Sequence, residues 1–168
     1  MTGALSKIPR IFSIHYRVFR VIVFFIVLLW CAGFSMNALF PHNGAIIFYP
    51  VLKHAYSGVC HQIAYKTFEV NNLHFLVCAR CTGIYFGALL SLLCLIFLTR
   101  NLGFPLKYFF ISGIPMILDV ICYTTGVYNY SKWIAFSTGI LFGSTAIVYI
   151  LFSIENFLFK ELTEKNEF

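Results

Sequence analysis

The sequence predicts an all-α integral membrane protein with four transmembrane helices, and three observations carry that prediction. The chain of 168 residues is 60% hydrophobic and 19% aromatic, with only 11% charged residues, and its mean hydropathy is +0.85. A soluble domain of this size needs far more polar surface. The apolar residues gather into four runs, each near the ~20 residues a helix needs to cross the hydrocarbon core. The 20 Phe and 10 Tyr suit a lipid-facing surface with aromatic belts at its interfaces.

The four predicted spans are 18–40, with Arg17 and Arg20 at its entry, then 81–99, 104–125 and 133–157, in one membrane domain covering 1–168. Helices satisfy their own backbone polar groups, which is what lipid demands. No small-x-small cleavage site closes the first run, so it is expected to stay as a span rather than leave as a signal peptide. Lys and Arg set the orientation. Lys7, Arg10, Arg17, Arg20, Arg100, Lys107, Lys160 and Lys165 fall on one side, against Lys53, Lys66, Arg80 and Lys132 on the other. The richer side is expected to be cytoplasmic, with both termini there. The net charge of +6 is therefore read as loop anchoring. The basic residues are scattered and leave no nucleic-acid footprint.

The connection 41–80 then lies outside. Phe48, Tyr49, Tyr56, Tyr65, Phe68 and Phe75 predict one or two amphipathic helices there, lying on the outer surface or between the spans. Asn71 and Asn72 mark a break before span two.

An internal repeat links spans two and four. Thr82-Gly83-Ile84-Tyr85-Phe86-Gly87 matches Thr138-Gly139-Ile140-Leu141-Phe142-Gly143 at five of six positions. Each string contains Gly-x-x-x-Gly, which lets helix backbones approach closely, so Gly83, Gly87, Gly139 and Gly143 are expected to pack helices together. The arrangement expected is two helical hairpins related by a pseudo-two-fold axis along the membrane normal.

The chemistry is concentrated in Cys60-His61-Gln62 and Cys78-Ala79-Arg80-Cys81-Thr82-Gly83. Three thiols on one side of a membrane are not needed to span lipid. Cys78 and Cys81 have the spacing of a metal-binding or redox pair. His74, Cys78, Cys81 and Tyr85 share one helical face if the helix starts before His74. Cys60 or His61 would then close a tetrahedral site, and zinc takes such sets. The same groups support thiol chemistry: a helix N-terminus and Arg80 favour thiolate, Cys60 would exchange with the Cys78/Cys81 pair, and Cys122 is a further thiol on that side. A structural disulfide is the third reading, with Cys31 and Cys94 as packing residues inside spans. Asp119 is read as the only acidic residue inside a span, ~9 Å of helix rise from its outer end. Arg80 is its expected counter-charge, and the pair would lock spans two and three.

The strings Cys60-His61-Gln62 and Cys78-Ala79-Arg80-Cys81-Thr82-Gly83-Ile84-Tyr85-x-Gly87, followed by Pro115 and Asp119, resemble the uncharacterised prokaryotic membrane proteins grouped as domain of unknown function 2085. The resemblance covers residues 56–143. It implies a role for Cys60, His61, Gln62, Cys78, Arg80, Cys81, Gly83 and Asp119, and a place in a prokaryotic cytoplasmic membrane, but it brings no assigned activity. The chain departs from the pattern at Ala64, Lys66, Val120 and Ala135. A fainter architectural likeness is to the bacterial quinone-linked disulfide-forming membrane proteins.

Three functional expectations follow. One is an accessory membrane protein with an outer Cys/His site for zinc, using Cys60, Cys78 and Cys81 with His61 or His74. Another is a membrane thiol oxidoreductase linked to quinone. The last is a small transporter or channel built around Asp119, which needs oligomerisation to make a pathway. The expected partners are the bilayer and a second copy or another membrane protein.

Overall fold

A computed structural model describes residues 8–39, 45–70, 73–97 and 105–165. In chain order these form α1 (Ile8–Leu39), α2 (Ala45–Ser57), a 3-10 turn (Ala64–Lys66), β1 (Thr67–Val70), β2 (Leu73–Cys78), α3 (Ala79–Phe97), α4 (Leu106–Thr124) and α5 (Lys132–Lys165). Among the described residues four segments are long and apolar enough to cross a membrane: Arg17–Met36, Ala79–Phe97, Leu106–Thr124 and Lys132–Phe157. The fold is thus that of an all-α multi-pass membrane protein, with one small hairpin added. Large apolar side chains such as Phe25, Leu29, Phe97 and Phe110 are exposed along these helices, as a lipid-facing surface requires. The expected span limits at Phe40, Thr99 and Phe104, and the break at Asn71 and Asn72, lie outside the described residues.

The repeat becomes a helix seam. A methyl group added at Gly83 would overlap the Phe136 carbonyl, and one at Gly139 would overlap the Arg80 carbonyl. One turn on, Gly87 faces the Ile140 carbonyl and Gly143 faces the Ile84 carbonyl. Gly139 and Gly143 stand 56 positions after Gly83 and Gly87, and Phe136 and Ile140 stand 56 after Arg80 and Ile84. Each contact is therefore matched by its exchange partner, which is the signature of a two-fold relation between parallel helices. The helix α1 packs on α3 and α4 packs on α5, giving the order α1–α3–α5–α4. Ser144 donates to the Gly87 carbonyl at 3.1 Å across the seam.

This geometry predicts that Gly87→Ala and Gly143→Ala each destabilise the bundle by about 1–3 kcal/mol, the range for overpacking a fitted contact. Because either change parts the same two helices, the double variant should cost less than the sum of the singles. Thermal unfolding in detergent reads both effects. Additive losses would mean the two contacts are independent rather than one seam.

The connection before α3 differs from the expected amphipathic helices. Among its described residues α2 is the one α-helix, and after the 3-10 turn the chain forms an antiparallel hairpin with Thr67 opposite Cys78 and Glu69 opposite His74. Thr67, Val70 and Val77 are β-branched and favour a pleated, half-buried surface. The register slips between Thr67 and Glu69, so β2 advances four residues while β1 advances two. That irregularity lets the consecutive Leu76 and Val77 both be buried, where a regular strand would send one outward.

The hairpin and α2 close over the end of α1. Phe34, Tyr56, Leu76 and Val77 form a buried cluster with Cys31 and Cys60. The Tyr56 hydroxyl donates to the Trp30 carbonyl at 2.8 Å, and it approaches so near to Gly33 that a side chain there would collide with it. A glycine in α1 thus sets where α2 ends, and α2 in turn delivers Cys60.

Asp119 is not the only acidic residue inside a span. Glu155 also lies within Lys132–Phe157 and is buried against Arg20.

Candidate metal centre

Three separate elements bring the thiols together. Cys60 follows α2, its backbone N–H donating to the Tyr56 carbonyl at 3.0 Å. Cys78 ends β2 and Cys81 lies in the first turn of α3. Their Sγ atoms all lie within 4.8 Å of one another. Tetrahedral geometry with a Zn–S bond of about 2.3 Å calls for sulfurs ~3.8 Å apart, so a small inward movement would place all three on one ion. All six cysteines carry free thiols in this structure.

The immediate surroundings favour a charged sulfur at Cys60. The Cys78 backbone N–H donates to Cys60 Sγ at 3.2 Å. Thiol hydrogen bonds, first from Cys78 and then from Cys81, hold Cys60 well below the ordinary thiol pKa, with a further backbone bond from Gln62. The same bond to Cys60 pushes the Cys78 thiol up. Of the two, Cys60 is thus the sulfur that its surroundings favour as thiolate. Gln62 adopts φ +50°, the left-handed region that costs a non-glycine residue roughly 1–2 kcal/mol. Its side chain is anchored there, Nε2 donating to the Lys53 carbonyl at 2.9 Å. The strained turn directs the backbone at the Cys60 thiol, and functional sites are where such strain tends to be retained.

The histidines stand apart from this trio. His74 lies in β2, before α3 begins, so the helical face expected to join it to Cys78 and Cys81 does not form. Its Nδ1 lies 3.1 Å from Thr67 Oγ1, beside a separate cavity of about 270 Å³ lined also by Tyr49, Lys53 and Gln62. His61 is exposed and borders a cavity of about 250 Å³ that all three cysteines line, but it is not part of the close group. Cys122 is likewise outside that group.

Beneath the thiols, the Arg80 guanidinium is ion-paired with Asp119, whose side chain is only 2% exposed. The Tyr128 hydroxyl donates to the same carboxylate. This ties the start of α3 to α4 and to the segment after it. Arg80 Nε is buried and has no hydrogen-bond partner among the described residues. Nearby, the Lys66 ammonium stands over three rings, Tyr123 at 4.5 Å and Tyr65 and Tyr130 each at 5.4 Å. The Tyr65 and Tyr123 hydroxyls are hydrogen-bonded at 2.7 Å, and burial, its largest cause, pushes the Tyr130 hydroxyl up to about 12.

Sequence reasoning missed Gln62's backbone role, the Tyr128 contact and the cage around Lys66. Nothing local to those residues signals them, because each depends on which elements meet. Glu155 did carry a signal, a carboxylate inside an apolar run, which usually means a buried partner.

Residues 60–149 match the family described as Predicted membrane protein (DUF2085). A curated relative, an uncharacterised protein of Methanocaldococcus jannaschii, is 33% identical over 99 residues, covering 57% of this chain and 64% of that protein. The matched stretch thus spans less than two thirds of the relative's length. No solved structure matches the chain.

Proposed function

This chain belongs to the DUF2085 family of predicted membrane proteins, and on that footing we propose that it is a multi-pass membrane protein whose Cys60, Cys78 and Cys81 hold a zinc ion. The observation that carries this reading is the convergence of three thiols within 4.8 Å from three elements. Zinc suits the set because it takes soft thiolate ligands in tetrahedral geometry and needs no redox partner. Two backbone N–H groups already serve the Cys60 sulfur, the kind of supporting shell that orients metal ligands. Lys66 and Arg80 line the same cavity; Arg80 is paired with Asp119, and Lys66 sets a positive charge beside the one surplus negative charge of three thiolates on a divalent ion. We place this end of the bundle outside a cytoplasmic membrane, with both termini inside, on the bias of Lys and Arg described above.

The test is metal content by mass spectrometry on detergent-purified protein prepared without chelator, together with a free-thiol count. One zinc per chain, with Cys60, Cys78 and Cys81 protected from alkylation until chelator is added, supports the reading. No metal, with a thiol count that rises by two on reduction, would overturn it in favour of thiol–disulfide exchange among the same residues.

A further inference from the structure

We propose that the fourth coordination position of this zinc, on which the inference rests, faces the adjoining cavity and takes the anionic donor of a small molecule from outside the protein. Three observations carry this. All three cysteines line one cavity of about 250 Å³, so an ion on their sulfurs has an open side there. Three protein ligands with an open position are the pattern of zinc sites that bind exchangeable ligands, whereas purely structural sites supply four.

The charge of the wall is one-sided. Lys66 and Arg80 line the cavity and no carboxylate does. Asp119 engages one terminal nitrogen of Arg80, while its buried Nε has no partner among the described residues. Lys66 is held by tyrosine rings, and no carboxylate pairs with it among the described residues. Rings position an ammonium without neutralising it as a carboxylate would. The cavity therefore offers one incoming donor a metal and the Lys66 ammonium, while Arg80 shares its charge with Asp119 and keeps only its Nε–H to spare.

Size and lining narrow the class. The volume falls just below the roughly 300 Å³ at which ordinary small-molecule pockets begin, and Val59 and Ile63 add apolar wall. A compact molecule with one thiolate or carboxylate and a short apolar body fits. His61, exposed at the rim, stays outside the coordination shell.

Cobalt(II) replaces zinc in the full chain for the test, because its spectrum reports coordination. Two arms add 2-mercaptoethanol or acetate, with a phosphine as reductant. The expected result is a thiolate-to-cobalt charge-transfer band before any addition, then a saturable change in the ligand-field bands in at least one arm. Response to the thiol alone identifies a thiolate ligand, and response to acetate alone a carboxylate. Lys66→Met should keep the charge-transfer band, showing an intact site, and weaken anion binding about tenfold. A band unresponsive to either anion would overturn the inference, as would ligand-field bands that change in His61→Ala before any anion is added. Absence of the band altogether would instead remove the metal reading beneath it.

Discussion

Replacing Cys60, Cys78 or Cys81 singly by Ser is expected to abolish stoichiometric zinc binding, whereas Cys94→Ser and Cys122→Ser leave it intact. Each of the three contributes one sulfur to a group whose members lie within 4.8 Å of one another, and the two controls lie outside it. Losing a ligand should cost more than the roughly 10–100-fold attached to losing a supporting group. A hydroxyl stays protonated at neutral pH and is a harder donor, so Ser does not substitute for thiolate. The pH dependence follows from the metal-free state. Cys60 has a depressed pKa because Cys78 and Cys81 donate to it. It is therefore favoured to ionise ahead of its donors, and zinc is expected to displace two protons, one from each donor. Calorimetry in buffers of different ionisation enthalpy should count two protons released per zinc at neutral pH. Affinity should fall as pH is lowered, because protons compete with zinc for the ligand sulfurs, and Cys78 is raised by its bond to Cys60. Release of three protons would mean that no thiolate is preformed.

What the sequence disclosed and what it hid divide along sequence distance. The spans could be read because each is a property of its own ~20 residues. The glycine seam could be read because Gly83 and Gly139 sit in matching strings, although the carbonyls they face, Phe136 and Arg80, emerge only when the helices meet. The hairpin was missed because Leu73–Cys78 is a short apolar run, which periodicity cannot assign to strand or helix. That error carried His74 onto a helical face where it does not lie. Cys60 reaches Cys78 after α2 has folded back on α1, where Tyr56 lies against Gly33, a contact between elements that no local pattern announces. Even so, the strings holding Cys60, Cys78 and Cys81 stand out in the sequence, and the fold brings those three sulfurs within 4.8 Å of one another.

Glu155→Ala is expected to destabilise the bundle by about 3–5 kcal/mol, the cost of breaking a buried ion pair from one side. Arg20 Nε lies 2.7 Å from one Glu155 oxygen and its Nη2 nitrogen 2.9 Å from the other, a bidentate geometry among the strongest available. Its Nη1 donates to the Leu95 carbonyl at 2.9 Å, so a single guanidinium joins α1, α3 and α5. The Arg20 and Glu155 side chains are 6% and 7% exposed, and each lies within a candidate span. Removing the carboxylate leaves a buried guanidinium without its counter-ion. The double variant Arg20→Met/Glu155→Met removes both charges and should recover most of the loss, because apolar residues of similar volume often match a buried pair. Asp119→Ala should cost a similar amount by the same reasoning, since that carboxylate is buried against Arg80. The two pairs differ in what else they touch. Arg80 borders the thiol cavity, while Arg20 and Glu155 line a different crevice with Leu95 and Leu151. Asp119→Ala should therefore weaken zinc binding in the protein that remains folded, and Glu155→Ala should leave it unchanged. Unfolding curves in detergent, read beside metal content, separate the effects. Equal loss of zinc in both variants would mean that the metal reports global stability rather than the local Arg80 support.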